Sequence, residues 1–372
     1  MKKQIALSLI VLLVLSTAAC GKDTVQTQGQ TEAEAQTQSQ PAVSDENSGS
    51  VEPLNFMFST TFQEAEFGGQ MVKYFCDTLN DISGGAITVT VYWGGTLFNN
   101  TEDLDAISEG AVQMITLGHL PYTGRLNYLG FPAFPPGSTQ EAVDVFNEVI
   151  FNNPETSALI QKELEDNNIK FLNVLASGIN AFCAKYEFTD LDSLVSKSSS
   201  FGNMDAAMFE ALGFQVTVVF PPDTYDALQR GLIDSTQMGL APMVSLSWYE
   251  VAPYFAMDGT NGVGSMFTVH LPWWNSLSKG QQDMIQQAAT EVSKHAIISA
   301  DEATSGDIAT VEASTGKKFI EFTKEDKDRV WAANFEAKAD AAIATAALNG
   351  KEEGMIRILE VFAELTDYNW QH

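Results

Sequence analysis

The stretch "AITVTVYWGGTLFNNTEDLDAISEGAVQMIT", Ala86 to Thr116, decides how this chain folds. Its first eight residues alternate apolar and polar side chains, the period of a strand. Gly94 and Gly95 then turn the chain, residues from about Thr101 to Glu109 read as a short helix, and "AVQMITLG" (Ala111 to Gly118) as the next strand. Upstream, "LNFMFST" (Leu54 to Thr60) reads as a strand and "GGQMVKYFCDTLNDISGG" as a helix that stops at Gly84 and Gly85. The order is βαβαβ, which predicts a mostly parallel sheet flanked by helices.

A second set of such units begins near "IKFLNVLAS" (Ile169 to Ser177) and continues through "INAFCAKYEF" (Ile179 to Phe188) and "FQVTVVF" (Phe214 to Phe220). In "PPDTYDALQRGLIDSTQMGL", Pro221 to Leu240, Asp223 reads as a helix N-cap, Gly231 as its stop, and Tyr225, Leu228 and Leu232 as one face. From about Gln281 the chain is Ala-rich and charged, with long helical patterns and a strand-like "KKFIEFT" (Lys317 to Thr323). A chain of 372 residues has room for two cores. The expectation is an α/β protein of two lobes with a helical carboxy-terminal region.

Charge and termini restrict the function. The formal charge is −28, with 20 Lys and Arg against 48 Asp and Glu. No basic cluster exists to meet phosphates, so nucleic acid is not a partner. Lys2 and Lys3 precede the apolar run "IALSLIVLLVL", too short for a stable membrane span, which marks a signal peptide. It ends "LSTAAC", which resembles the lipobox of bacterial lipoproteins, although Thr17 stands where leucine is commonest. Residues 1–20 are therefore read as a lipoprotein leader with Cys20 as the lipidated residue. Residues 21–52 are rich in Gln, Thr, Ser and Glu and read as a disordered linker. The protein is expected outside the cell membrane, held to its outer face by lipid.

Chemistry-bearing motifs are few. Cys76 and Cys183 follow Cys20, and they are open to pairing in an exported protein or to packing as free thiols. His119, His270, His295 and His372 show no ligand spacing, and neither a metal nor a cofactor is implied. Glu64 with Glu66, or Asp190 with Asp192, fit solvated charge better than acid–base work, and no nucleophile elbow or phosphate loop is present. The reading is that of a binding protein and not an enzyme.

"AITVTVYWGGTLFNNTEDLDAISEGAVQMIT" resembles the first-lobe signature of the TRAP-type substrate-binding proteins, receptors of tripartite ATP-independent periplasmic transporters. "LGFPAFPPGS" (Leu129 to Ser138), "DTYDALQRGLIDS" (Asp223 to Ser235) and "SWYEVAPYF" (Ser247 to Phe255) are similar to further runs of that family. The resemblance implies the two-lobed periplasmic-binding-protein-like fold, closing over a solute by a hinge. It places one lobe at 53–177 with about 264–304, and the other at 178–263 with about 305–372. It also implies an extracytoplasmic receptor that delivers a small organic solute to TRAP-type membrane permease subunits. A ligand-binding surface sensor lipoprotein on the same fold is the alternative.

The family's carboxylate-binding arginine is missing. Where members read "DLKGLKIR", this chain reads "DLDSLVSKSSSFGN", and the arginine position falls on Lys197 or Ser198. The chain has four arginines, Arg125, Arg230, Arg329 and Arg357, of which Arg125 lies in a loop where a ligand can be met. If Lys197 or Arg125 points inward, an anionic solute remains possible. Otherwise the solute is neutral or cationic, held by Phe62, Trp93, Phe201 and Trp248 with Thr60, Asn180, Asn203 and Gln237. Tyr225 either lines the cleft or packs in a core. A neutral or atypical solute is favoured over a simple carboxylate.

Overall fold

The computed structural model describes residues 52–118, 125–195, 198–200 and 206–372. The leader with Cys20, the linker to residue 51, and Lys197, Phe201 and Asn203 lie outside them, and for Ser198 the description is confined to the backbone. In the amino-terminal part, β1 (Leu54–Ser59) lies between β2 (Ile87–Tyr92) and β3 (Met114–Gly118) and is parallel to both. The crossovers are α1 (Phe67–Ile82) and α2 (Asp103–Ser108). Helix α1 buries Met71, Val72, Phe75 and Leu79, a spacing that keeps them on one face. Phe75 meets Phe267 edge to face at 5.2 Å between ring centroids, as Phe58 does at 5.2 Å.

After α3 (Thr139–Asn147) and α4 (Pro154–Asp166), the run "IKFLNVLAS" divides between β4 (Ile169–Phe171) and β5 (Leu175–Ala184). Asn173 explains the break, since its side chain accepts from the Phe267 amide and donates to the Ala289 carbonyl. The second half then adds α5 (Leu191–Leu194), β6 (Ser198–Ser200), α6 (Ala206–Ala211), β7 (Gln215–Thr217), α7 (Pro221–Arg230) and β8 (Ser235–Gly239). Strand β6 runs parallel to β7 and β8, and β8 pairs antiparallel with β5. Helix α7 starts at Pro221 with Phe220 as its N-cap, so Asp223 sits inside the first turn. Its buried residues are Thr224, Ala227 and Leu228, while Leu232 is 61% exposed. Gly231 ends the helix with φ 76°, the left-handed conformation that glycine adopts without penalty.

Helix α8 (Leu240–Ser245) leads to the 17-residue β9 (Tyr254–His270), which belongs to both halves. Its first part pairs with β5 and its last part with β3 and β4, all antiparallel, giving a nine-stranded sheet of path order β2-β1-β3-β9-β5-β8-β6-β7, with β4 off that path on β9. The β5–β9 register shifts three times between Leu175 and Ala181. There Gly178 takes φ +93°, and across the pair Gly262 has no room for a methyl group, which would fall 2.1 Å from Ser177 Oγ.

The chain ends in α9 (Leu271–Ser276), α10 (Lys279–Thr315), α11 (Lys324–Ala347) and α12 (Glu352–Leu365). "KKFIEFT" forms one bridge, Ile320 to Ala256, because its rings serve other purposes. Phe319 packs on Phe255 and Phe322 on Phe182. One large core gathers β1–β4, α1 and α12. Two smaller cores cover opposite faces of the second half, around Phe182 and Phe209 on one side and Leu228, Trp248 and Phe255 on the other. The 37-residue α10 spans both regions, with Ala288 to Ala300 in the large core and Val311 in a small one. Cys76 and Cys183 are free thiols. Burial pushes the Cys76 thiol up to about 12 and raises that of Cys183, so both are poor nucleophiles.

Candidate ligand-binding site

Parallel strands β6, β7 and β8 end on the same side of the second half, and a cavity of about 180 Å³ lies there. Ligands of open α/β sheets lodge at such carboxyl ends, because loops diverge there and leave a crevice. Residues Thr236 to Gly239 of β8 form its floor, with Val219, Pro221 and Thr224 from the entry to α7. Met208 and Phe209 of α6, Trp248 and Asn334 of α11 form its sides. Phe134 comes from the loop between β3 and α3, which is tied to β9 by Val263 N–H to the Ala133 carbonyl and Asn261 N–H to the Pro135 carbonyl.

One wall is polar and built on a bulge. Ile179 pairs with Asn261 and Ala181 with Met257, so Asp258, Gly259 and Thr260 of β9 stand opposite the single residue Asn180. A bulge of this kind bends a strand and re-aims its side chains. Asn180 donates to Thr260 Oγ1 at 3.1 Å, and Thr260 Oγ1 donates to Asp258 Oδ1 at 2.8 Å. Asp258 Oδ1 also accepts the Thr260 amide at 2.8 Å, and Oδ2 accepts Gln237 Nε2 at 2.7 Å. Asp258 is 0% exposed, and the three donors that meet it among the described residues are uncharged. Burial raises its carboxyl above the usual range, opposed by the bonds from Gln237 and Thr260 and by the charge of Lys327.

Asn334, 4% exposed, also lines the cavity. One further polar group on the residues that line this space, the indole N–H of buried Trp248, lacks a partner among the described residues. Buried donors left open in this way are satisfied by water or by a ligand.

The residues singled out from sequence are distributed as follows. Asn180, Gln237 and Trp248 line the cavity. Phe62 lines a second cavity of about 560 Å³, between the start of α1, the crossing of β5 and the start of α8. Thr60 is buried and shares a hydrogen bond with Thr116, and Trp93 packs against the large core. Arg125 is engaged by Asp105, Asn167 and Ser108. Tyr225 donates to Glu250 at 2.9 Å on the surface. Ser198 opens β6, and Lys197, Phe201 and Asn203, adjoining that strand in sequence, lie outside the described residues. Sequence reasoning passed over Asp258, Thr260, Phe134 and Asn334. The one signal for Asp258 was its place in the run "YFAMDGTNGVG", where a residue depleted in strands interrupts apolar sequence beside a glycine.

A family model described as bacterial extracellular solute-binding protein, family 7 (DctP) matches residues 58–343. The C4-dicarboxylate-binding periplasmic protein DctP of Rhodobacter capsulatus is 24% identical over 280 residues, 74% of this chain and 83% of that protein. Among solved structures, the ectoine-binding protein TeaA of the TeaABC TRAP transporter, in its apo state, superposes with a TM-score of 0.72 at 17% identity, covering 84% of this chain and 99% of TeaA. A TRAP periplasmic solute-binding protein of Pseudomonas aeruginosa with bound L-malate gives 0.60 at 17% identity, covering 77% and 100%. Among the described residues no helix is long and apolar enough to cross a membrane.

Proposed function

The chain belongs to the bacterial extracellular solute-binding proteins of family 7, the substrate-binding proteins of TRAP-type transporters, and we propose that it takes up its solute in the cavity beside Asp258. The observation that carries this reading is the polar wall built by the β9 bulge at the carboxyl ends of β6, β7 and β8. The cavity is smaller than the roughly 300–1,000 Å³ of pockets for drug-sized ligands, which suits a small metabolite. In this reading β1–β4 and α1 make the first lobe and β6–β8 the second; α12, which the resemblance assigned to the second, packs in the large core and is proposed with the first. Strands β5 and β9 join them, and closure about this joint holds the solute for a TRAP-type permease, which must read the closed form.

A simple carboxylate is disfavoured in this reading. All four arginines are occupied by carboxylates: Arg125 by Asp105, Arg230 by Asp226, Arg329 by Asp192 and Arg357 by Glu155. None of them lines the cavity, so no planar fork is offered to an anion there. Asn180, Gln237 and Trp248 are the proposed contacts from the sequence reading, joined by Thr260 and Asp258. Export with lipid attachment at Cys20 completes the proposal and keeps the receptor beside its permease.

Filling the cavity tests the assignment. Val219→Trp places an indole in the space, and isothermal calorimetry with the solute recovered from the purified chain by native mass spectrometry is expected to show loss of binding. Affinity unchanged in that variant would place the solute elsewhere. Lys197→Ala is expected to leave affinity within about twofold, whereas an anion held by Lys197 predicts at least a tenfold loss, about 1.4 kcal/mol.

A further inference from the structure

Asp258 is a carboxylate at the bottom of a cavity, completely buried and met by three donors that are all uncharged. Among the described residues Asp258 has no ion pair with a Lys or Arg; the methylenes of Lys327 lie against Gly259, and its charge acts on Asp258 from there. Burial raises the Asp258 carboxyl and so disfavours the charged form, and a cation arriving beside it favours that form again. The oxygens differ in what they have left to offer. Oδ1 accepts two bonds, both from Thr260, and Oδ2 accepts one, from Gln237, so Oδ2 retains acceptor capacity. Asn180 backs Thr260, which fixes the hydroxyl as a donor to the carboxylate and holds the group oriented.

We propose that this receptor selects a small solute carrying a cationic nitrogen, which Asp258 receives through Oδ2 beneath the aromatic walls of Trp248, Phe209 and Phe134. The inference rests on the cavity being the solute site. Ring faces attract a cation and tolerate its methyl or methylene groups, and the exclusion of water strengthens both interactions. An anion finds no guanidinium in the lining and gains nothing from Asp258. The other end of the solute is an acceptor such as a hydroxyl, carbonyl or amide oxygen, because the Trp248 indole N–H lacks a partner. A formal charge of −28 on the chain favours the approach of cations over anions.

The test is calorimetric titration of the full chain with choline, glycine betaine and putrescine, against L-malate, succinate, galacturonate and glucose, in the native protein and in Asp258→Asn. The expected result is binding confined to cation-bearing members, with the dissociation constant raised at least 30-fold in D258N. The Asn variant is near-isosteric, and Gln237 can turn its amide to accept from it; an unfolding midpoint no lower than native at neutral pH shows that folding is intact. Binding of malate, galacturonate or glucose at an affinity that D258N does not change overturns the inference, and so does failure of all three cation-bearing solutes to bind. Val219→Trp separates this from the reading beneath it. A solute that survives V219W is not in the cavity at all, whereas one lost in V219W and retained in D258N removes the charge preference alone.

Discussion

Replacing Glu163 by glutamine is expected to loosen the loop that brings Phe134 to the cavity, at about 2–4 kcal/mol of stability. Glu163 on α4 is 3% exposed and accepts from four donors. Oε1 takes the Asn127 amide at 2.9 Å, Asn127 Nδ2 at 3.2 Å and Lys351 Nζ at 2.5 Å, and Oε2 takes the Tyr128 amide at 2.9 Å. A glutamine keeps one acceptor oxygen and turns an NH₂ toward a donor. One buried N–H is then orphaned, which costs about 1–3 kcal/mol, and the bonds that remain lose their charge assistance, about 1 kcal/mol more. The Lys351 share is small because its side chain is 31% exposed to solvent, so a double-mutant cycle of E163Q with Lys351→Met should return a coupling near 1 kcal/mol. Urea unfolding at constant m-value measures the first quantity, and solute affinity should fall a few-fold with it. If E163Q unfolds within about 0.5 kcal/mol of the native protein, the carboxylate does not hold this loop and the argument is wrong.

Gly262→Ala inserts a methyl 2.1 Å from Ser177 Oγ and 2.6 Å from Phe134 Cε1, so about 1–3 kcal/mol of stability and part of the solute affinity should be lost; an unaltered unfolding midpoint would show that the joint yields freely. Asp103, buried at the start of α2, has its carboxyl pushed up to about 6 by burial, so the folded state holds this proton more tightly than the unfolded chain. Stability should therefore fall as pH rises from about 4 to above 6, by at most about 3 kcal/mol, and Asp103→Asn should flatten that decline in a series of urea titrations. A decline that persists undiminished in D103N would assign it to other groups. Cys20→Ser should move the protein from the membrane fraction to the soluble one, and continued membrane retention would contradict lipid attachment there.

The first half was legible because its signals are local. Alternation in Ile87 to Tyr92 and the glycines at 84, 85, 94 and 95 each define an element within a few residues, and the βαβαβ order follows from their sequence. The second half depends more on pairing. Strands β6 and β7 have three residues each, and "SSS" carries no apolar period; it is a strand because it lies between β7 and β8. The α7 start was misread for a local reason, since an aspartate three residues in outweighed the proline that opens the helix. Asn180, Gln237 and Trp248 emerged as candidates because amide and aromatic side chains suit a neutral or cationic solute where the family's arginine is missing. Asp258 had no such guide, for its position is set by a register shift between two strands roughly 80 residues apart.

In the proposed reading, that register shift is also where binding and closure meet. Asn180 belongs to β5, and Asp258 and Thr260 to β9, the two strands that join the halves. Gly178 and Gly259, both at positive φ, lie within two residues of the polar chain, so the backbone there departs from regular pairing on both strands. A solute held by Asp258 and Asn180 touches both strands where the ladder is interrupted. Its binding energy then acts on the crossing itself and need not travel through either core. Phe134 adds a second link, since the loop that carries it is bonded to β9 at Asn261 and Val263, just past the bulge. A closed state favoured by the solute needs a contact that differs between states, and a residue anchored to the joint provides one where a residue deep in either lobe does not. Substitutions at Asn180 and Thr260 should accordingly change both solute affinity and the fraction of closed receptor, measured by small-angle scattering with and without solute, whereas a change in affinity alone would confine these residues to recognition.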